Sequence, residues 1–187
     1  MRWDDDSCGH LWELAYQTGR LVFPQQAAVL EIGCAEFDWI TPLLAVRPDL
    51  HVTGIDWRAM DRSSGAVYIQ GDVLSQEFPA ESFDVIVGIS SIEHIGLGHY
   101  EHDPSDEDGD RHCMERVVQW LKHGGWCYAD MPYGPQYGVD GTSHRIYDDA
   151  AVTSRLLVPG LKEQHRWIHE SDPTWPYQYV AFYAVKG

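Results

Sequence analysis

No C-x-x-C pair occurs in this chain, and its four cysteines, Cys8, Cys34, Cys113 and Cys127, stand far apart. Such spacing fits neither a zinc site nor a disulfide frame, so free thiols in a reducing compartment are expected. No apolar run approaches the roughly 20 residues that span a bilayer. The opening Met1-Arg2-Trp3-Asp4-Asp5-Asp6 is acidic and has no apolar signal core. These absences predict a cytoplasmic protein with no membrane partner. Positive charge is scarce as well. Thirteen Lys and Arg face 29 acids, for a formal charge of −16, and no cluster of Lys and Arg stands out. Such a field repels phosphate backbones and disfavours nucleic acid as a partner. The ten histidines add charge only at mildly acidic pH.

No internal repeat or low-complexity linker divides the 187 residues. That length supports one domain with a sizeable core and is short for two. A single domain over 1–187 is expected, with a helix at about 7–21, a cofactor-binding half at about 28–90 and a substrate-side half at about 91–187.

The stretch from Ala28 to Trp39 combines a buried strand, a glycine turn at Gly33 and the opening of a helix. Further apolar strands follow at His51–Asp56, Ala66–Asp72, Phe83–Ser90 and Trp126–Tyr133. Helices are expected from about Trp39 to Val46, Asp108 to Leu121 and Asp148 to Leu157. Alternation over Leu161–Glu170 and Tyr179–Lys186 predicts a terminal antiparallel hairpin. The fold class is therefore α/β, a Rossmann-like doubly wound sheet, mostly parallel. Glycine turn followed about twenty residues later by an acid, here Asp56, is how open α/β sheets hold an adenosine ribose. A fully glycine-rich turn would have Gly where Ala35 and Phe37 stand.

Glu31-x-Gly33, Asp56, Gly71-Asp72, Phe83-Asp84-Val85-Ile86 and Leu121-Lys122-x-Gly124-Gly125, in that order, resemble class I S-adenosylmethionine-dependent methyltransferases. The resemblance runs from about Val29 to Pro132, and Ser91-Ile92-Glu93-His94-Ile95 is also similar to many members. It implies seven strands with the last antiparallel, and S-adenosyl-L-methionine as cofactor. On that resemblance Asp56 accepts from the ribose hydroxyls and Asp72 from the adenine amine, with the Val73 amide near a ring nitrogen. Gly33 forms the close backbone approach, Cys34 and Ala35 beside it are further cofactor-binding positions, and Glu31 holds the methionine amino group directly or through water. Trp57 offers a flat face to adenine. A dinucleotide-dependent dehydrogenase is the rival for the same turn, but it fits the terminal hairpin poorly.

Methyl transfer needs alignment of the nucleophile and, where required, removal of its proton. His94 is the candidate base, with Glu93 beside it; Ser90 and Ser91 line the same wall. Capping of the loop is the structural alternative for Glu93 and His94. Tyr133, His144 and Arg145 follow the fifth strand, where substrate contacts collect in open sheets, and they suit a small-molecule or glycan-like acceptor. Two metal arrangements are incomplete. Ile92-Glu93-His94 with His99 is similar to the metal site of small-RNA 2′-O-methyltransferases, but Ser90 replaces its first Glu. Asp106-x-Asp108-Gly109-Asp110 with Glu115 matches much of a calcium loop, but Pro104 takes its first ligand position. No metal is assigned. A cofactor-binding module without transfer, or a methyltransferase of nucleic acid or protein, remain as alternatives.

Overall fold

The computed structural model describes residues 22–35, 38–60, 65–98, 105–141, 143–169 and 176–187. The helix expected at about 7–21, with Cys8, lies outside them, as do Phe37, His99 and residues 101–104 of the acidic loop. Five strands run parallel: β1 (Ala28–Ile32), β2 (His51–Asp56), β3 (Val67–Gln70), β4 (Phe83–Ile89) and β5 (Leu121–Tyr133). A three-residue hairpin, β6 (Gly138–Asp140) and β7 (His144–Ile146), forms a separate two-stranded sheet. The last pair, β8 (Leu161–His169) and β9 (Gln178–Lys186), completes the main sheet in the order β3-β2-β1-β4-β5-β9-β8. β9 alone runs against its neighbours, pairing antiparallel with β5 and β8. This is the seven-stranded sheet that the sequence predicts.

Near-continuous apolar runs in β1, β4 and β5 follow from burial on both faces. Alternate residues go to opposite sides: Leu30 and Ile32 join one core cluster, Val29 the other. On the first face lies α2 (Gly109–Trp120), which buries Cys113, Met114, Val117 and Trp120. Beside it is α3 (Asp149–Ala151), which widens into a π-helical turn over Val152–Leu156. The Asp148 carboxylate caps α3 by accepting from the Ala151 amide at 2.7 Å. On the second face, α1 (Ile40–Val46) buries Ile40 and Leu43 beside Trp39. β5 starts at Leu121, ahead of the expected Trp126, with Gly124 at φ +75° and a register shift against β4 between Phe83 and Val85.

A buried polar cluster fixes the C-terminal half of the chain. Arg145 on β7 has no exposed surface. Its guanidinium donates to the carbonyls of Ile95 (2.7 Å), Glu107 (3.1 Å), Glu93 (3.3 Å) and Asp106 (3.3 Å). The Asp110 carboxylate lies 3.6 Å from Arg145 Nε and accepts from Arg155 Nη2 at 2.6 Å and Tyr147 Oη at 2.9 Å. Burial and then Asp110 hold the Tyr147 phenol well above its ordinary pKa. Arg145 is thus a staple that ties the loop after β4 to the start of α2. Replacing one member of a buried charge cluster leaves the others uncompensated. Arg145→Met should therefore lower unfolding stability by about 3–5 kcal/mol in urea titration; a loss under about 1 kcal/mol would contradict the staple.

Candidate functional site

The order of the sheet reverses between β1 and β4, and a crevice opens outside the carboxyl ends of strands at such a switch point. There the structure has a cavity of about 650 Å³, counting its mouth. Gly33 and Ile55 to Arg58 line it, with Gly71 to Val73, Ser90, Ser91 and His94.

Gly33 sits at φ +80° and donates its amide to the Ile55 carbonyl at 2.9 Å. A Cβ on Gly33 would lie 2.3 Å from Ser91 Cβ. What demands glycine here is the end of β4, rather than a ligand alone. Ser91 Oγ in turn donates to the Ile32 carbonyl at 2.8 Å. The chain then folds back so that the Ala35 amide donates to Asp56 Oδ2 at 2.9 Å. Cys34 is buried, and its Sγ would lie 2.8 Å from a Cβ on Gly54, which explains the small residue inside β2. Glu31 is also buried and accepts from Trp39 Nε1 at 2.6 Å, on the face opposite Leu30.

Asp56 ends β2 with its side chain 5% exposed. Asp72 accepts from the Leu74 amide at 2.9 Å and from Ser75 Oγ at 2.7 Å, so it closes the turn after β3 as well as facing the cavity. Trp57 and Val73 line the same end. At the other end, Ser90 adopts φ +43°, a strained conformation for a residue with a Cβ. Asp130, buried within β5, holds it there by accepting from the Ser90 amide at 2.9 Å and from Tyr128 Oη at 2.8 Å. Ser90 Oγ donates to Glu93 Oε1 at 2.8 Å. His94 Nδ1 is hydrogen-bonded to the Ser143 carbonyl, while its Nε2 lies 3.7 Å from Glu93 Oε1.

The cavity therefore brings together Gly33, Asp56, Trp57, Asp72, Val73, Ser90, Ser91 and His94, with Glu93 buried behind His94. Tyr133, His144 and Arg145 fall outside its lining. Tyr133 pairs in sequence register with Gln178 and bridges to Tyr147; His144 is buried with its ring 6.1 Å from that of His94. Arg145 serves the staple rather than the cavity. Arg58 and Asp130 escape the sequence reading. A single acid near the end of an apolar strand was the available signal for Asp130. For Arg58 it was a cation two residues after the ribose-type acid. Among the described residues of the acidic loop, Asp106 pairs with His112, Asp108 with Arg111 and Arg155, and Asp110 with Arg155. Burial pushes the Cys127 thiol up to about 12 and raises Cys113 too, which keeps both protonated at neutral pH.

Residues 61–172 match the family model described as "Caenorhabditis protein of unknown function, DUF268". The chain belongs to that family. No curated protein matches this DUF268 chain in sequence. Solved structures do resemble it. The N-methyltransferase NodS from Bradyrhizobium japonicum, in complex with S-adenosylhomocysteine, is 20% identical, with a TM-score of 0.65 over 98% of this chain and 89% of that one. The 1,6-didemethyltoxoflavin-N1-methyltransferase of Burkholderia thailandensis gives 13% identity and a TM-score of 0.72, over 98% and 79% of the two chains. The [4+2]-cyclase SpnF gives 16% and 0.69, over 98% and 85%. At these identities the likeness is one of fold: this member of the DUF268 family has the fold of class I S-adenosylmethionine-dependent methyltransferases.

The Gly33–Ser91 contact yields a test. Gly33→Ala adds both a clash and an unfavourable φ, and should cost about 1–3 kcal/mol in thermal or urea unfolding. Ser91→Gly, which removes the obstructing Cβ, should recover part of that loss in the double variant. Equal stability of Gly33→Ala and the parent would contradict the contact.

Proposed function

We propose that this chain binds S-adenosyl-L-methionine in the cavity at the carboxyl ends of β1, β2 and β4 and methylates a small-molecule or glycan-like acceptor. One observation carries this: Asp56 at the end of β2, Asp72 in the turn after β3, and His94 with Glu93 buried behind it converge on a single cavity. The residues fit the cofactor in kind. Asp56 and Asp72 offer carboxylate acceptors for a ribose and an adenine amine, and Ile55, Trp57 and Val73 offer apolar surface between them. When bound, the cofactor supplies an electrophilic methyl group on a sulfonium.

The protein's part in the transfer rests on His94. The Ser143 carbonyl can only accept, so the Nδ1 proton of neutral His94 points at it and the lone pair stays on Nε2. That nitrogen takes the acceptor's proton, and the Glu93 carboxylate 3.7 Å away stabilises the resulting imidazolium. Ser90 holds Glu93 in place through its hydroxyl, and Asp130 holds Ser90. The formal charge of −16 favours a neutral or cationic acceptor over a nucleic acid.

Ala35 and Phe37, where a fully glycine-rich turn would have Gly, and the cyclase that shares this fold motivate a second reading. In that reading the chain binds the cofactor without transferring its methyl group. Calorimetric titration with S-adenosylmethionine and S-adenosylhomocysteine tests both readings, and Asp56→Ala should abolish the heat. Labelled-methyl transfer to a panel of hydroxylated small molecules and sugars then separates them. His94→Ala should lower transfer about 10²–10⁴-fold while S-adenosylhomocysteine still binds. No heat with either ligand on the folded parent would overturn the proposal; binding without transfer to any acceptor would leave the second reading.

A further inference from the structure

Asp56 already has its hydrogen bonds. Oδ1 accepts from the Arg58 amide at 2.9 Å and from Arg58 Nε at 3.0 Å; Oδ2 accepts from the Ala35 amide at 2.9 Å and from Arg58 Nη2 at 3.3 Å. A carboxylate has about four lone-pair sites. Both oxygens are therefore bridged by one guanidinium fork, the geometry that matches a carboxylate best. Arg58 itself lines the cavity, and its side chain is 42% exposed where that of Asp56 is 5% exposed. The acid is the buried partner and the cation the more exposed one.

We propose that Arg58 is the resident occupant of the ribose subsite, a latch whose guanidinium a vicinal diol must displace before it can bind Asp56. This rests on Asp56 being the ribose acceptor. The two hydroxyls of a ribose donate to the two carboxylate oxygens as Nε and Nη2 of Arg58 do, so one exchanges for the other. The Ala35 and Arg58 amides keep their bonds to Asp56 through the exchange. A partly exposed ion pair opens at modest cost, so the latch weakens nucleoside binding without abolishing it. Because only the ribose competes with Arg58, every adenosine ligand pays the same factor, the fraction of molecules in the open state. Salt screens a pair at the cavity mouth, so it should loosen the latch.

Calorimetry with adenosine and with S-adenosylhomocysteine tests the latch on the parent, Arg58→Leu, Arg58→Lys and Asp56→Ala. Arg58→Leu should tighten both ligands by the same factor, about two- to fivefold. Arg58→Lys keeps the charge but lacks the fork, and should fall between the two; it also serves should leucine disturb the turn. Adenosine is uncharged, so its affinity for the parent should rise with ionic strength and that for Arg58→Leu should not. Unchanged or weaker binding of both ligands by Arg58→Leu would overturn the latch while leaving Asp56 as the ribose acceptor, provided Asp56→Ala still fails to bind. Tightening of S-adenosylhomocysteine alone would overturn it too, because Arg58 would then act on the amino-acid end. No binding to folded parent and folded Arg58→Leu alike would overturn the ribose assignment and the latch with it.

Discussion

Between Gly33 and Ser91 there is no room for a β-carbon, and the rest of the site follows from that contact. It presses the carboxyl ends of β1 and β4 together at the point where the strand order reverses. With Gly33 at φ +80°, the chain leaves β1 toward β2 instead of running on into solvent, and the Ala35 amide reaches Asp56. Ser91 closes the seam from the other side through the Ile32 carbonyl. The cavity is the space left above this seam, and its two ends take their chemistry from the acids of β2 and β3 and from the turn after β4.

That turn is strained, and the strain has an identifiable support. Ser90 at φ +43° is held by the buried Asp130, and its hydroxyl fixes Glu93 beside His94. His94 in turn is held by Ser143, on the turn of the small hairpin β6–β7. The hairpin is secured by Arg145, whose guanidinium binds main-chain carbonyls on both sides of the acidic loop. A chain of contacts thus runs from the core of the C-terminal half to the candidate base. Local strain at such a site persists only where the surroundings over-determine it, as they do here.

The sheet was legible because its strands are buried on both faces and read as unbroken apolar runs ending in an acid or a glycine turn. The place of Asp56 at the end of β2, and of Asp72 and Ser90 just beyond β3 and β4, follows directly. Less could be read where structure rests on convergence in space. β6 and β7 have three residues each and no apolar alternation to mark them as strands. Arg145 among tyrosines and histidines has the composition of a substrate site, and no pattern announces four carbonyls meeting around it. Asp130 was hidden inside an apolar strand. Arg58 looked like a turn residue, because a bidentate pair two residues apart has no periodicity to betray it. Motifs mark where the candidate residues stand in the chain, while the hydrogen bonds among them join segments far apart in sequence and follow no local pattern.

The most direct test of the central claim, that this carboxyl-edge cavity is an adenosine-cofactor site, is a crystal structure of the protein with S-adenosylhomocysteine. The account predicts the ribose hydroxyls on Asp56 with the Arg58 guanidinium swung away, and the adenine between Trp57 and the Asp72–Val73 turn. A ligand bound elsewhere, with the Asp56–Arg58 pair intact and the cavity filled only by water, would contradict it.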